Sequence, residues 1–168
     1  TAYHAGMVGK YLLERIARIP VETDLASEFR YRDPLVDDKT LLIAVSQSGE
    51  TADTLAAVKE ARRLGARTVA VSNVVGSSIS REVDHLIYTR AGIEIGVAAT
   101  KTFVAQLVAL SLLALQIASL RGTLSKEELR CHLEELQALP EKIDRILNSH
   151  EPVKAWAQKF HKCQDFLY

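Results

Sequence analysis

Cysteine is scarce in this sequence. Cys131 and Cys163 are the only two, far apart and with neither a CxxC spacing nor a His pair beside them, which excludes a disulfide framework and leaves no metal-ligand pattern. Charge of one sign is not in excess either: Lys and Arg number 21 against 21 for Asp and Glu. A net charge of zero excludes the global basic field that draws nucleic-acid backbones to a protein, so no nucleic-acid partner is expected. There is no GxGxxG and no GxxxxGK followed by Ser or Thr, so neither a dinucleotide nor a magnesium-bound triphosphate is the expected ligand. Internal repeats and low-complexity tracts are absent as well. What is present is the composition of a soluble folded protein, 48% apolar and 25% charged over 168 residues, enough for one ordinary core.

The sequence starts at Thr1 with helical spacing already running through Tyr3, Met7, Tyr11 and Leu12, and it stops at Asp165-Phe166-Leu167-Tyr168, which reads as the start of a strand. A chain cut from something longer is the expectation. With no secretory leader and two isolated cysteines, the expected compartment is a reducing cytoplasm.

Helical periodicity over 2–19 ends at Pro20. A short strand is expected around Val21–Leu25, then a helical turn near Ser27–Tyr31. Thr40–Val45 is apolar without alternation, as in a strand covered on both faces of a parallel sheet. After it, Leu55, Val58, Ala61 and Leu64 recur at helical spacing, and Gly65 stands where a left-handed cap closes a helix. Further strands are expected at Arg67–Ser72 and His85–Thr89, with a short helix over Ser77–Val83 between them. Strands alternating with helices imply right-handed crossovers and an open, doubly wound, mainly parallel α/β sheet with helices on both faces.

Residues 102–120 are almost continuously apolar. That length raises the question of a membrane span, but Gln106, Ser111, Gln116 and Ser119 interrupt the run. A helix buried in the core or at a subunit interface is expected, with no membrane partner. Ser125 and Glu128 form a capping box with Leu124 and Leu129 as the staple. It opens an amphipathic helix running to a kink or break at Pro140 and on through Ile146 and Leu147. A last helix, from Pro152, carries Val153, Trp156 and Phe160.

In such a sheet, ligands bind beyond the carboxyl ends of the strands. Ser46-Gln47-Ser48-Gly49-Glu50-Thr51 stands at one. Three hydroxyls (Ser46, Ser48, Thr51), the Gln47 amide, a glycine for close backbone approach and the free N–H groups of the next helix suit a monophosphate. The same residues also suit plain helix capping. A second candidate is Gly92–Lys101, whose small residues allow close approach; the alternative is a tight connection with Thr100 as N-cap. Glu94 either faces a ligand or fixes this loop through backbone N–H groups. His4, His85, His132, His150 and His161 are scattered and form no nucleophile–base pair. Glu28–Arg32 suggests ion pairing or an interface rather than a nucleic-acid groove.

Leu25–Arg32, Ser46–Thr54, Ser72-Asn73 with Gly76-Ser77-Ser78, and Ala91–Thr102 together resemble the isomerase part of the glucosamine-6-phosphate synthases, a branch of the sugar isomerase (SIS) superfamily. The resemblance runs along the whole chain. It implies a three-layer, flavodoxin-like SIS fold over 1–168, with 125–168 as a helical connection toward a second SIS half. It also implies fructose 6-phosphate binding by Ser46, Gln47, Ser48 and Thr51, with Thr1, Val97 and Ala99 against the sugar. Some relatives carry Ser where this chain has Ala2 and Ala99. The isomerising Glu, His and Lys of the family belong to the second half and its tail, so no catalytic residue, cofactor or metal is expected here. The implied partners are sugar phosphates, the second SIS half, a glutaminase domain and a second copy of the parent chain. In the parent reaction, ammonia from glutamine adds at C2 of the open-chain ketose and proton transfer between C1 and C2 gives the amino-aldose phosphate. A non-catalytic SIS-type sensor of a regulator is the alternative reading; a phosphoheptose or arabinose-phosphate isomerase fits the long C-terminal helices less well.

Overall fold

The computed structural model describes residues 1–165, and the strand expected to open at Asp165–Tyr168 lies, beyond Asp165 itself, outside the described residues. Two compact units divide the chain, Thr1–Ser125 and Lys126–Tyr168.

The first unit is built on three parallel strands, β1 (Leu41–Ser46), β2 (Arg67–Ser72) and β3 (His85–Tyr88), in the order β1-β2-β3. Ser46 lies opposite Ser72, and Ser72 opposite Tyr88, so the carboxyl ends finish level. Side-chain alternation sends successive residues to opposite faces. Ile43, Val45, Val71 and Ile87 pack with Ala5, Ala109 and Leu110 of helices α1 (Ala2–Leu12) and α5 (Lys101–Arg121). On the opposite face Leu42, Ala44, Ala70 and Leu86 pack with Leu55, Val58 and Ile79 of α3 (Ala52–Arg63) and α4 (Ile79–Glu82). These are the three expected layers. The strand order advances in one direction, so both crossovers share a face, and no reversal of winding occurs among the described strands.

α3 ends as its sequence predicts. Gly65 has φ +97°, Gly65 N–H donates to Arg62 O and Ala66 N–H to Ala61 O, the paired bonds of a Schellman cap.

The first helix stops earlier than Pro20. α1 passes into a π-helical turn over Leu13–Ala17, and Arg18 is left-handed at φ 55°. Its last carbonyls are taken by the end of α5: Arg121 Nε donates to Ala17 O at 3.0 Å and Thr123 Oγ1 to Ile16 O at 2.7 Å. The expected strand at Val21–Leu25 is not formed. Val21 N–H donates to Glu14 Oε1 and Val21 O accepts from Lys10 Nζ, so side chains of the first helix occupy the groups a strand ladder would need. The expected helical turn is α2 (Ala26–Phe29).

α1 and α5 run parallel, with Gly9 against Leu110, and Leu13 and Ala17 clustered with Ala114 and Ala118. Thr102, Gln106, Ala109, Leu110, Leu115 and Ala118 bury one side of α5. α5 is long and apolar enough to cross a membrane by length and composition alone, yet its buried side is spent on α1 and β2.

The second unit holds α6 (Lys126–Gln137), α7 (Leu139–Asn148) and α8 (Glu151–Phe160). Pro140 and Pro152 each fall in a first turn, where a missing N–H removes no helical bond, so the break expected at Pro140 starts a new helix.

Candidate functional site

The β1–α3 loop leaves the sheet at the end of β1 and turns on Gly49, at φ +67°. Ser46, 4% exposed, accepts the Gly49 N–H at 3.0 Å on its Oγ. Ser48 Oγ accepts the Glu50 N–H at 3.2 Å. Glu50 Oε1 takes the Ser78 N–H at 2.7 Å, and contacts with Ser78 and the charge of Arg81 hold its carboxyl below the usual range. Gln47 O accepts the Asn73 N–H and Gly49 O the Ile79 N–H, so the loop is fastened to the segment after β2. Thr51 is the N-cap of α3 in extended conformation and makes no side-chain cap bond. Neither loop serine caps the helix in its place; both hold the loop's own amides. The N-terminus of α3 is therefore left without a side-chain cap from Thr51, Ser46 or Ser48, beside exposed Thr51 and half-buried Ser48 and Gln47.

The second candidate loop leaves the end of β3 and enters α5. Glu94 fixes it. Its carboxylate accepts the N–H groups of Thr100 (3.1 Å) and Thr102 (3.2 Å) and the Thr102 hydroxyl (2.7 Å), with Lys101 Nζ at 3.9 Å. Those donors, the Thr102 hydroxyl first, pull its pKa down to about 2 despite a side chain only 5% exposed. Of the two roles open to Glu94, the structure selects the loop-fixing one, and it also supplies the α5 cap that Thr100 does not. Val97 is fully exposed, and Ala99 half-buried. Thr1 is the N-cap of α1. Because α1 runs parallel to α5, and α5 starts beyond the end of β3, Thr1 stands at the same edge of the sheet as both loops.

The signature of the SIS domain matches residues 1–116. The chain belongs to the SIS domain family. It is 56% identical, over all 168 residues, to a Clostridium tetani isomerizing glutamine--fructose-6-phosphate aminotransferase, and 52% identical to the protein of that name from Caldanaerobacter subterraneus. The SIS chain spans 28% of the length of each. Among solved structures it is similar to the C-terminal domain of glucosamine-fructose-6-phosphate aminotransferase from Francisella tularensis, with TM-score 0.92 and 38% identity over 96% of this chain and 46% of that one. The parallel sheet with helices on both faces is thus the SIS fold.

Two residues of this SIS domain lie in stretches that carry the resemblance but were given no role of their own from the sequence. Asn73, buried, donates from Nδ2 to Gly92 O at 2.7 Å and accepts on Oδ1 from Ala91 N–H (2.8 Å) and Thr89 Oγ1 (2.9 Å). With its own N–H on Gln47 O, it joins the two candidate loops. Asp53, in the first turn of α3, receives Arg30 Nη1 at 2.9 Å; this realises the ion pairing read from Glu28–Arg32, and Arg32 pairs with Asp24 at 2.6 Å. An Asn directly after the apolar strand β2 was the signal for the first; nothing local could reveal the second. All five histidines are exposed, and no group of three metal-ligating side chains occurs among the described residues.

Proposed function

We propose that this SIS domain binds the phosphate of fructose 6-phosphate in the isomerase part of a glutamine:fructose-6-phosphate aminotransferase, which makes glucosamine 6-phosphate. The observation that carries the reading is the β1–α3 loop: its serines pin their own backbone while the N-terminus of α3 is left without a side-chain cap. Such an end offers N–H donors and a positive dipole to an anion. Gln47, Ser48 and Thr51 line it, and Ser46, holding Gly49, keeps a hydroxyl proton to donate. Thr1, Val97 and Ala99, at the same edge, face the sugar; Ala99 contributes only backbone there.

The role of the domain is orientation. Fixing the phosphate holds the open-chain ketose so that C1 and C2 meet acid–base groups carried elsewhere in the parent protein, which converts a chance encounter into a positioned one. The 56% identity along all 168 residues to a named aminotransferase favours this over a sensor. The parent carries a second SIS half and a glutaminase domain, pairs with a copy of itself and works in the cytoplasm.

Calorimetric titration with fructose 6-phosphate and glucosamine 6-phosphate tests the reading, with unphosphorylated glucosamine and a Ser48→Ala, Thr51→Ala variant as controls. Binding should require the phosphate and weaken about tenfold or more in the variant. Equal affinity for the unphosphorylated sugar, or an unaffected variant, would overturn it.

A further inference from the structure

The segment that binds the anion carries no cation. From Ser46 to Thr54 the charged residues are Glu50 and Asp53, both negative. Two carboxylates beside a phosphate site oppose the ligand unless each is neutralised by something outside the segment. Glu50 is held by Ser78 and the charge of Arg81, which itself donates to Gly76 O and Ser78 Oγ. Asp53 bears on the ligand more directly, because it sits in the first turn of the helix whose N–H groups face the ligand. Its counter-charge is Arg30, 23 residues earlier on the segment led by α2, with Nη1 2.9 Å from Asp53 Oδ1. The Arg30 side chain is 32% exposed, and its guanidinium also lies 4.7 Å from the centre of the Tyr31 ring. The contact thus joins the C-cap residue of α2 to the first turn of α3, two elements that pack together.

We infer that Arg30 is a positioning residue for anion binding: by pairing with Asp53 it removes a negative charge from the mouth of the α3 N-terminus and lets the uncapped amides act on a sugar phosphate. The inference rests on the phosphate reading of the loop. It also explains why an otherwise ordinary exposed ion pair, worth little to stability by itself, joins these two elements. Asp53 suits the helix dipole and favours α3 in the free domain; Arg30 then prevents the same charge from repelling the ligand.

The test is a double-mutant cycle in the whole chain, Arg30→Gln, Asp53→Asn and both together, with dissociation constants for fructose 6-phosphate at low and high salt. Arg30→Gln should weaken binding about threefold to tenfold at low salt, and the deficit should shrink at high salt because the exposed charge is screened. Asp53→Asn should bind as well as the parent or better, and the double variant should return to parental affinity. Thermal unfolding of the same four proteins separates this from loss of packing, which removing Asp53 cannot repair. Unchanged affinity in Arg30→Gln, or a double variant as weak as Arg30→Gln, overturns the role of Arg30 and leaves the phosphate site standing. No phosphate-dependent binding by the folded parent chain overturns both.

Discussion

Gly49 lies hard against Ser77: a Cβ at position 49 would stand 2.3 Å from Ser77 Oγ and 2.8 Å from Ile79 Cγ2. The residue at 49 is therefore fixed twice, by contact and by its left-handed φ of +67°. Gly49→Ala should destabilise the domain by about 1–3 kcal/mol and also abolish sugar-phosphate binding, since the loop must shift. Denaturant unfolding and titration on the same sample check both effects. A variant of parental stability and affinity would show that the loop accommodates a side chain.

Glu94 makes a pH prediction with a definite sign. Its pKa falls from 4.5 to about 2 on folding, so the ionised carboxylate binds fewer protons in the folded than in the unfolded state near pH 3–4. The stabilisation is complete above pH 4.5 and is lost as pH falls through that window toward 2. Glu94→Gln, which cannot ionise, should lower the thermal midpoint at neutral pH and flatten its decline between pH 4.5 and 2. An acid profile identical to the parent's would remove Glu94 from this role.

Asn73 joins β2 to the loop after β3 through Gly92 O, Ala91 N–H and Thr89 Oγ1. Asn73→Ala should cost about 1–3 kcal/mol, the penalty for buried polar groups left without partners. Amide exchange at Ala91 should quicken while exchange in the α3 interior changes only as global stability does. If Ala91 stays as protected as before, another group holds that loop.

Arg18 adopts φ 55° and ψ 46° at the end of the first helical segment, a conformation in which glycine meets no Cβ penalty. Arg18→Gly should raise stability by about 0.5–1 kcal/mol without changing ligand affinity. Equilibrium unfolding reads the change, and a loss of stability would mean that the Arg18 side chain contributes more than its backbone costs.

Much of the architecture was legible in the order of residues. Thr40–Val45, observed as β1 over Leu41–Ser46, and Arg67–Ser72 read as strands because they are apolar runs without alternation, and α3 could be closed at Gly65 because a left-handed cap favours glycine. The serine-rich loop could be placed at a strand end, as it is. Val21–Leu25 misled for the opposite reason: its local pattern suits a strand, but Lys10 and Glu14 take the backbone groups of Val21 that a neighbouring strand would need.

Sequence alone determined the three strands of the sheet, the helices packed on them, the Gly65 cap and the place of the serine-rich loop, because these depend on neighbours within a few residues and on which residue types tolerate a given backbone. Tertiary structure decided the partners. Arg30 meets Asp53, Asn73 reaches Gly92, and Ser77 closes over Gly49 across separations from 19 to 28 residues. Glu94 turns to the amides of Thr100 and Thr102 rather than outward. A side chain's choice among distant donors and acceptors depends on which are brought within reach and shielded from water, and that is settled only when the layers have packed.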